Sequence, residues 1–291
     1  MSDILHSTQG PLGILTLNRP KALNALTTSM VESMHTILTS FDSDPSIAAA
    51  LIQGTGDKAF CAGGDVKAVV QMAQKGQIED AMRFFRSEYR TNYKIASFSK
   101  PYIAYIDGIT MGGGAGVSVH GPFRIATEKT LFAMPECAIG LIPDIGASYF
   151  LPGLQLPGVG LYLGLTGARV KGADAYHAGI ATHYILSSLL PELTSTIQNT
   201  LATLMLHDST SKEGEQHLRS VLNEFQHRHC IPTDGDLVRH APTIQRIFDD
   251  NTKSLEYVYD ACRRDGSDFA VATLKQMQKY VLFLLWHCVD I

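Results

Sequence analysis

Gly13-Ile-Leu-Thr-Leu-Asn18 and Ala48-Ala-Ala-Leu-Ile-Gln-Gly54 are two short apolar runs, and between them Leu26, Met30, Met34, Ile37, Leu38 and Phe41 recur at helical spacing. Apolar positions three and four apart share one side of a helix, whereas runs of this length suit buried strands. The stretch therefore reads strand, helix, strand. Two helix starts are available: Ser29 with Glu32 makes a capping-box pattern, and Thr27 or Thr28 can cap one turn earlier.

The same alternation continues outward from this stretch. A glycine-rich turn, Phe60-Cys-Ala-Gly-Gly-Asp65, leads into a segment to Ile95 that reads as helix with loops, helical over Phe84 to Tyr93. Tyr102 to Ile106 is a strand running into Gly108 and the cluster Gly112-Gly-Gly-Ala-Gly116, and Phe123 to Ala126 is the next strand. Repeated alternation of this kind predicts an α/β fold with right-handed crossovers. From about Ala173 onward strand-like runs vanish and helical spacing dominates, with polar breaks near Asp208 to Gly214 and Ile231 to Gly235. Tyr280 to Ile291 is an apolar burst without capping or amphipathic logic.

Composition narrows the function classes. The 291 residues are 45% hydrophobic and 18% charged, which suits a soluble globular protein. A net charge of −4 carries no basic footprint, so neither nucleic acid nor an anionic membrane is an expected partner. Five scattered cysteines without a Cys-x-x-Cys pair fit a reducing compartment. Met1 to Gly10 reads as neither a secretory nor a mitochondrial targeting segment, a presequence outside this chain being the alternative. Val289-Asp-Ile291 is not a peroxisomal tripeptide. The longest apolar run, Tyr280 to Trp286, is far shorter than the roughly 20 residues that span a bilayer.

The chemistry concentrates in three places. Cys61-Ala-Gly-Gly-Asp65 and Gly108-Ile-Thr-Met-Gly-Gly-Gly114 each place unhindered backbone amides at a strand-to-helix turn. One N–H from each could converge on a single oxygen, and a helix starting near Gly113 would add its dipole, which together make an oxyanion hole. Either glycine run alone reads as a tight turn or a phosphate cradle, but no Gly-Lys-Ser/Thr follows and no dinucleotide fingerprint is spaced correctly. The third place is Met134-Pro-Glu-Cys-Ala-Ile-Gly-Leu-Ile-Pro-Asp144, two carboxylates in otherwise apolar sequence. Apolar surroundings raise a carboxyl pKa, which makes Glu136 a general base or nucleophile for neutral pH; the competing reading is a turn cap or a partner for a buried cation. His227-Arg-His-Cys230 lacks zinc-site spacing and reads as a polar loop, and His120 and His183 read as packed or hydrogen-bonded histidines.

Taken together, these residues resemble the crotonase (enoyl-CoA hydratase/isomerase) superfamily and, within it, the 3-hydroxyisobutyryl-CoA hydrolase branch. The matching segments include Leu17-Asn-Arg-Pro-Lys-Ala-Leu-Asn-Ala-Leu26, Ala59-Phe-Cys-Ala-Gly-Gly-Asp65, Phe84-Phe-Arg-Ser-Glu-Tyr89, Gly108-Ile-Thr-Met-Gly-Gly-Gly114, Phe132-Ala-Met-Pro-Glu136 and Ile139-Gly-Leu-Ile-Pro-Asp144. The resemblance implies a crotonase-like ββα spiral core over 1–185 carrying the active site. It leaves 186–291 as a helical C-terminal region that is truncated relative to the family and has an atypical end. It implies an acyl-CoA substrate, oxyanion donors at the amides of Gly64 and Gly113, catalytic roles for Glu136 and Asp144, and Glu88 near the substrate's hydroxyl. Substrate contacts thus fall to Glu88, Gly113, Glu136 and Asp144. Gly116 stands where hydratases carry a second glutamate, which argues against water addition. Asp65 reads as structural, fixing its turn. The implied reaction is hydrolysis of 3-hydroxyisobutyryl-CoA in valine breakdown, without metal or redox cofactor, coenzyme A entering as part of the substrate. The alternatives are a hydratase or isomerase, or a truncated non-catalytic binding protein. The family also implies a homo-oligomer and a mitochondrial location, with a cytoplasmic one as the alternative that the visible N-terminus offers.

Overall fold

A computed structural model describes residues 2–206, 211–249 and 254–288. The chain opens with a hairpin, β1 (Ile4–Gln9) antiparallel to β2 (Leu12–Leu17). The crossover helix α1 (Thr28–Ser43) then leads to β3 (Ala49–Gly54), which pairs in parallel with β2 from Leu12 opposite Ala49 to Leu17 opposite Gly54. The strand, helix, strand reading is thus realised, with β1 as an unexpected edge: all its residues after Ile4 are exposed, so it carries no apolar alternation. Thr27 is the N-cap of α1, accepting from the Met30 amide at 3.3 Å. No capping box forms at Ser29, which lies inside the first turn, and Glu32 accepts from Arg83 at 2.8 Å.

The rest follows a spiral. β4 (Ala59–Cys61) precedes α2 (Val66–Gln74) and α3 (Ile78–Ala96); β5 (Tyr102–Ile106) and β6 (Ile109–Met111) precede the single turn α4 (Gly113–Gly116); β7 (Phe123–Ala126) and β8 (Leu131–Ala133) come next. Short helices α5 (Ala147–Phe150), α6 (Val159–Thr166) and α7 (Ala173–His177) alternate with two-residue strands β9 (Val170–Lys171) and β10 (His183–Tyr184). β10 corrects the expectation that strands end at Ala173; it is a two-residue addition to the sheet edge beside β7. Helices α8 (Leu190–Leu206), α9 (Ser211–Gln226), α10 (Asp236–Phe248), α11 (Leu255–Asp265) and α12 (Asp268–Cys288) form the C-terminal region. The polar break read at Asp208 to Gly214 lies partly outside the described residues. So do the side chains on which the terminal apolar burst was judged, and the closing residues Val289 to Ile291. Among the described residues no helix is long and apolar enough to cross a membrane.

Successive strands are dealt to two sheets, one ordered β1-β2-β3-β5-β7-β10 and the other β4-β6-β8-β9. This is the ββα spiral of the crotonase fold, with helices covering the larger sheet on both faces. Alternate residues of β3 show why its run is continuously apolar. Ala50 and Ile52 pack with Met30, Met34 and Leu38 of α1, while Ala49 and Leu51 pack with Leu193, Ile197 and Phe225 of α8 and α9. Each large side chain so buried contributes roughly 1.5–3 kcal/mol. The smaller sheet has too little length to be stable alone and instead positions the two glycine turns.

Candidate active site

The first turn leaves β4 through Ala62, Gly63 and Gly64. Gly63 holds φ at +107°, a conformation that suits glycine alone, and its carbonyl accepts from the Leu26 amide at 2.8 Å. Asp65 N–H returns the contact to the Leu26 carbonyl at 2.8 Å, so the turn is stitched to the segment before α1. The Asp65 carboxylate caps α2 by accepting from Ala68 N–H at 3.3 Å and receives Arg19 at 3.2 Å. Asn24, fully buried and left-handed, donates from Nδ2 to the carbonyls of Thr55 (3.0 Å) and Ala59 (2.8 Å). The Leu17 to Leu26 segment is therefore the mould of the first turn.

The second turn leaves β6 through Gly112. Parallel pairing of β4 with β6 sets the two turns side by side. A methyl group on Gly113 would lie 3.1 Å from the Gly64 nitrogen and 2.2 Å from Glu88 Oε1, so only glycine permits this approach. Neither the Gly64 nor the Gly113 amide finds an acceptor among the described residues. Two free N–H donors at one cavity are what a developing oxyanion requires. The helix expected near Gly113 does begin there, as the single turn α4 of four residues, too short to add much macrodipole to its own N–H groups.

Three carboxyls meet at this cavity, of about 80 Å³, which Gly64, Gly113, Glu88, Glu136 and Asp144 line with Phe84. Glu88 projects from the buried stripe of α3 that includes Ala81, Phe84 and Ile95, and is 3% exposed rather than on a solvated face. Burial, reinforced by the charges of Asp144 and Glu136, pushes its carboxyl up to about 8. Glu136 opens the tight turn Glu136–Ile139, which α12 and α6 back. It makes no ion pair among the described residues, and burial with the nearby Asp144 pushes it to about 7. Asp144 is half-buried; desolvation raises its carboxyl, opposed by the Tyr89 phenol, which donates to Oδ2 at 2.8 Å. All five residues singled out from sequence thus line one cavity. Two larger cavities, about 470 and 340 Å³, lie elsewhere, the first beside Gln53 and Tyr105 and the second beside Lys171 and Arg239.

Gly116 has no room for a side chain. A methyl there would stand 2.9 Å from Ile145 Cβ and 3.0 Å from both amide atoms of Asn92. Ile145 is itself unusual, a buried β-branched residue at φ +47° whose carbonyl oxygen lies 2.7 Å from His120 Nε2. His183 Nδ1 lies 2.9 Å from Thr182 Oγ1, and burial takes its imidazole down to about 4. His229 packs against Tyr184 with ring centroids 5.5 Å apart. No group of three or more His, Cys, Asp or Glu side chains among the described residues is arranged to hold a metal ion. Sequence reasoning passed over Tyr89, which follows Glu88 directly, and that adjacency was the available signal.

Residues 12–287 match the family described as enoyl-CoA hydratase/isomerase. The mitochondrial 3-hydroxyisobutyryl-CoA hydrolase of Gallus gallus is 45% identical over 282 residues, covering 96% of this chain and 69% of that protein. That of Homo sapiens is 45% identical over 279 residues, covering 95% and 69%. Among solved structures, a carnitinyl-CoA dehydratase from Mycobacterium thermoresistibile superposes with TM-score 0.81 at 35% identity, over 96% of this chain and 75% of that one. An enoyl-CoA hydratase from Rhodobacter sphaeroides gives 0.80 at 33%, over 94% and 74%. With its two-sheet spiral and its paired glycine turns, the chain belongs to the enoyl-CoA hydratase/isomerase family, in its 3-hydroxyisobutyryl-CoA hydrolase branch.

Proposed function

We propose that this protein hydrolyses 3-hydroxyisobutyryl-CoA, and similar short hydroxyacyl-CoA thioesters, to the free acid and coenzyme A. The observation that carries the reading is the meeting of Glu88, Glu136 and Asp144 with the free amides of Gly64 and Gly113 in one cavity. It is supported by 45% identity to proteins named for this activity. We take 1–185 to carry the chemistry and 186–291 to support it.

The thioester oxygen sits between the Gly64 and Gly113 amides, where each donor lowers the barrier by roughly 3 kcal/mol. Glu136 acts on the carbonyl carbon by one of two routes. In the first it attacks directly, the C–S bond breaks to release coenzyme A as the thiolate, and water then hydrolyses the mixed anhydride, its two protons going to the thiolate and the released acid. In the second it takes a proton from an attacking water. In the water route the new C–O bond forms as the oxygen becomes an oxyanion. Collapse then breaks C–S, and the proton held on the carboxyl passes to the departing sulfur. Asp144 tunes Glu136 by its charge and positions the water or thiol. Glu88 accepts from the substrate's hydroxyl. A hydratase needs a second acid near the glycine cluster, and the packing of Asn92 and Ile145 over Gly116 leaves no space for one. The names of the curated relatives support a mitochondrial location.

The test is thiol release from 3-hydroxyisobutyryl-CoA by the purified protein, compared with Glu136→Gln and Asp144→Gly. The expected result is turnover that both variants lose. A folded wild-type protein no faster than the variants overturns the assignment, and turnover of crotonyl-CoA instead selects the hydratase. Single turnover in labelled water separates the two routes: label in the Glu136 carboxylate marks the anhydride.

A further inference from the structure

Asp144, Ile145, Gly146 and Ala147 form a tight turn closed by the Ala147 amide, which donates to the Asp144 carbonyl at 2.7 Å. Its two central residues both hold positive φ, Ile145 at +47° and Gly146 at +81°, the arrangement of a type I′ turn. Gly146 suits that conformation and Ile145 does not: a branched Cβ crowds the backbone there, and such a residue persists only where its surroundings over-determine it. The turn begins at a carboxylate of the site, so whatever fixes Ile145 also fixes Asp144.

Two contacts fix Ile145. Its side chain, 2% exposed, fills the space beside Gly116, where a methyl would meet its Cβ at 2.9 Å. Its main chain is held by His120, whose Nε2 lies 2.7 Å from the Ile145 carbonyl oxygen and whose Cε1 would stand 2.7 Å from a methyl on Gly146. A carbonyl oxygen only accepts, so the hydrogen sits on Nε2. Burial lowers the pKa of this imidazole, which leaves it neutral with that single N–H. His120 follows α4, so its bond ties the element that carries the Gly113 amide to the turn that carries Asp144.

We infer that His120 is a positioning residue of the reaction: by donating from Nε2 to the Ile145 carbonyl it keeps the turn left-handed and the Asp144 carboxylate in the cavity, against Tyr89. This rests on the hydrolase reading above and extends it to a side chain outside the cavity lining. Without the bond, Ile145 relaxes towards negative φ and carries Asp144 off the Tyr89 phenol.

The experiment compares His120→Leu, His120→Asn and His120→Gln, each with and without Tyr89→Phe. Leucine fills the space without a donor, the asparagine amide stops near the place of Nδ1, and the glutamine amide nitrogen reaches the place of Nε2. Asp144 is titrated by carboxyl NMR. Tyr89→Phe is expected to shift that titration in the wild-type and glutamine backgrounds and to leave it unmoved in the other two, where the phenol bond is already lost. On folded protein, kcat for thiol release is expected to fall about fivefold to tenfold in the leucine and asparagine variants, with KM within twofold, and to return with glutamine. A purely structural His120 lowers the melting temperature without moving either readout. The proposal is overturned if Tyr89→Phe shifts Asp144 equally in all backgrounds or in none, if glutamine fails to restore the shift, or if both donor-less variants do not fold. A wild type that releases no thiol overturns the hydrolase reading, while the Asp144 titrations still decide the role of His120. Thiol release with equal shifts in every background overturns that role alone.

Discussion

Tyr89 donates its phenolic proton to Asp144 Oδ2 across 2.8 Å, joining the outer edge of α3 to the end of the loop that begins at Glu136. The bond favours the ionised form of Asp144 against the desolvation that raises its pKa. Tyr89→Phe removes it. Asp144 is then expected to titrate at higher pH, followed by carboxyl NMR, and kcat/KM to fall about fivefold to tenfold, the range of one lost hydrogen bond. Stability should change little, because Tyr89 is 45% exposed. An unmoved Asp144 titration contradicts the argument.

Glu136 works as a carboxylate in the proposed reaction, and burial pushes its pKa to about 7. The protonated form can neither attack nor take a proton from water. The rate is therefore expected to rise with pH through about 7 and then level, measured as kcat from pH 5.5 to 9 on a pH-stable assay. A rate flat from pH 5.5 upward shows that Glu136 is ionised throughout and that its burial does not govern the activity.

Glu88 links the site to folding stability. Its carboxyl is pushed from the ordinary 4.5 to about 8 in the folded protein. Below 4.5 both states hold the proton; between the two values the unfolded chain releases it while the folded one keeps it, so stability falls as pH rises through that window. Glu88→Gln lacks this loss. The melting temperature of the variant relative to wild type should climb between pH 5 and 8, by about 2–4 °C for each kcal/mol regained, and then flatten. Thermal melts at three pH values check the slope, and a constant difference contradicts the raised pKa.

Gly113→Ala introduces a methyl group 3.1 Å from the Gly64 nitrogen and 2.2 Å from Glu88 Oε1. It occupies the space between the two free amides, and kcat is expected to fall by at least about 100-fold. Gly153→Ala, with nothing within 4 Å of the new methyl and no positive φ, is the matched control and should stay within a factor of two. Comparable losses in both variants would remove the oxyanion assignment.

Legibility in the sequence followed the range of the signal. β2, α1, β3, β5 and β7 were readable because burial leaves a helical period in α1 and unbroken apolar stretches in strands of four or more residues, as in Ala49 to Ile52. β4, β6, β8 and β9 have two or three residues each, too few for any period, so the second sheet was invisible although it places both glycine turns. Glu136 and Asp144 stood out as charges in apolar sequence. Glu88 needed the family resemblance, since its neighbours Arg86, Ser87 and Tyr89 make the local sequence polar. Asn92 and Asn24 are recognisable only by what surrounds them in space: orphaned amide atoms in one, carbonyls from Thr55 and Ala59 in the other.

The amides of Gly64 and Gly113 belong to the main chain and are aimed by the pairing of β4 with β6. Apart from a change to proline, no single codon change deletes a backbone N–H, whereas Glu88, Glu136 and Asp144 can each be replaced independently. A scaffold of this kind keeps two donors aimed at one point while the side chains around them change. A carnitinyl-CoA dehydratase superposes on that scaffold at TM-score 0.81 with 35% identity.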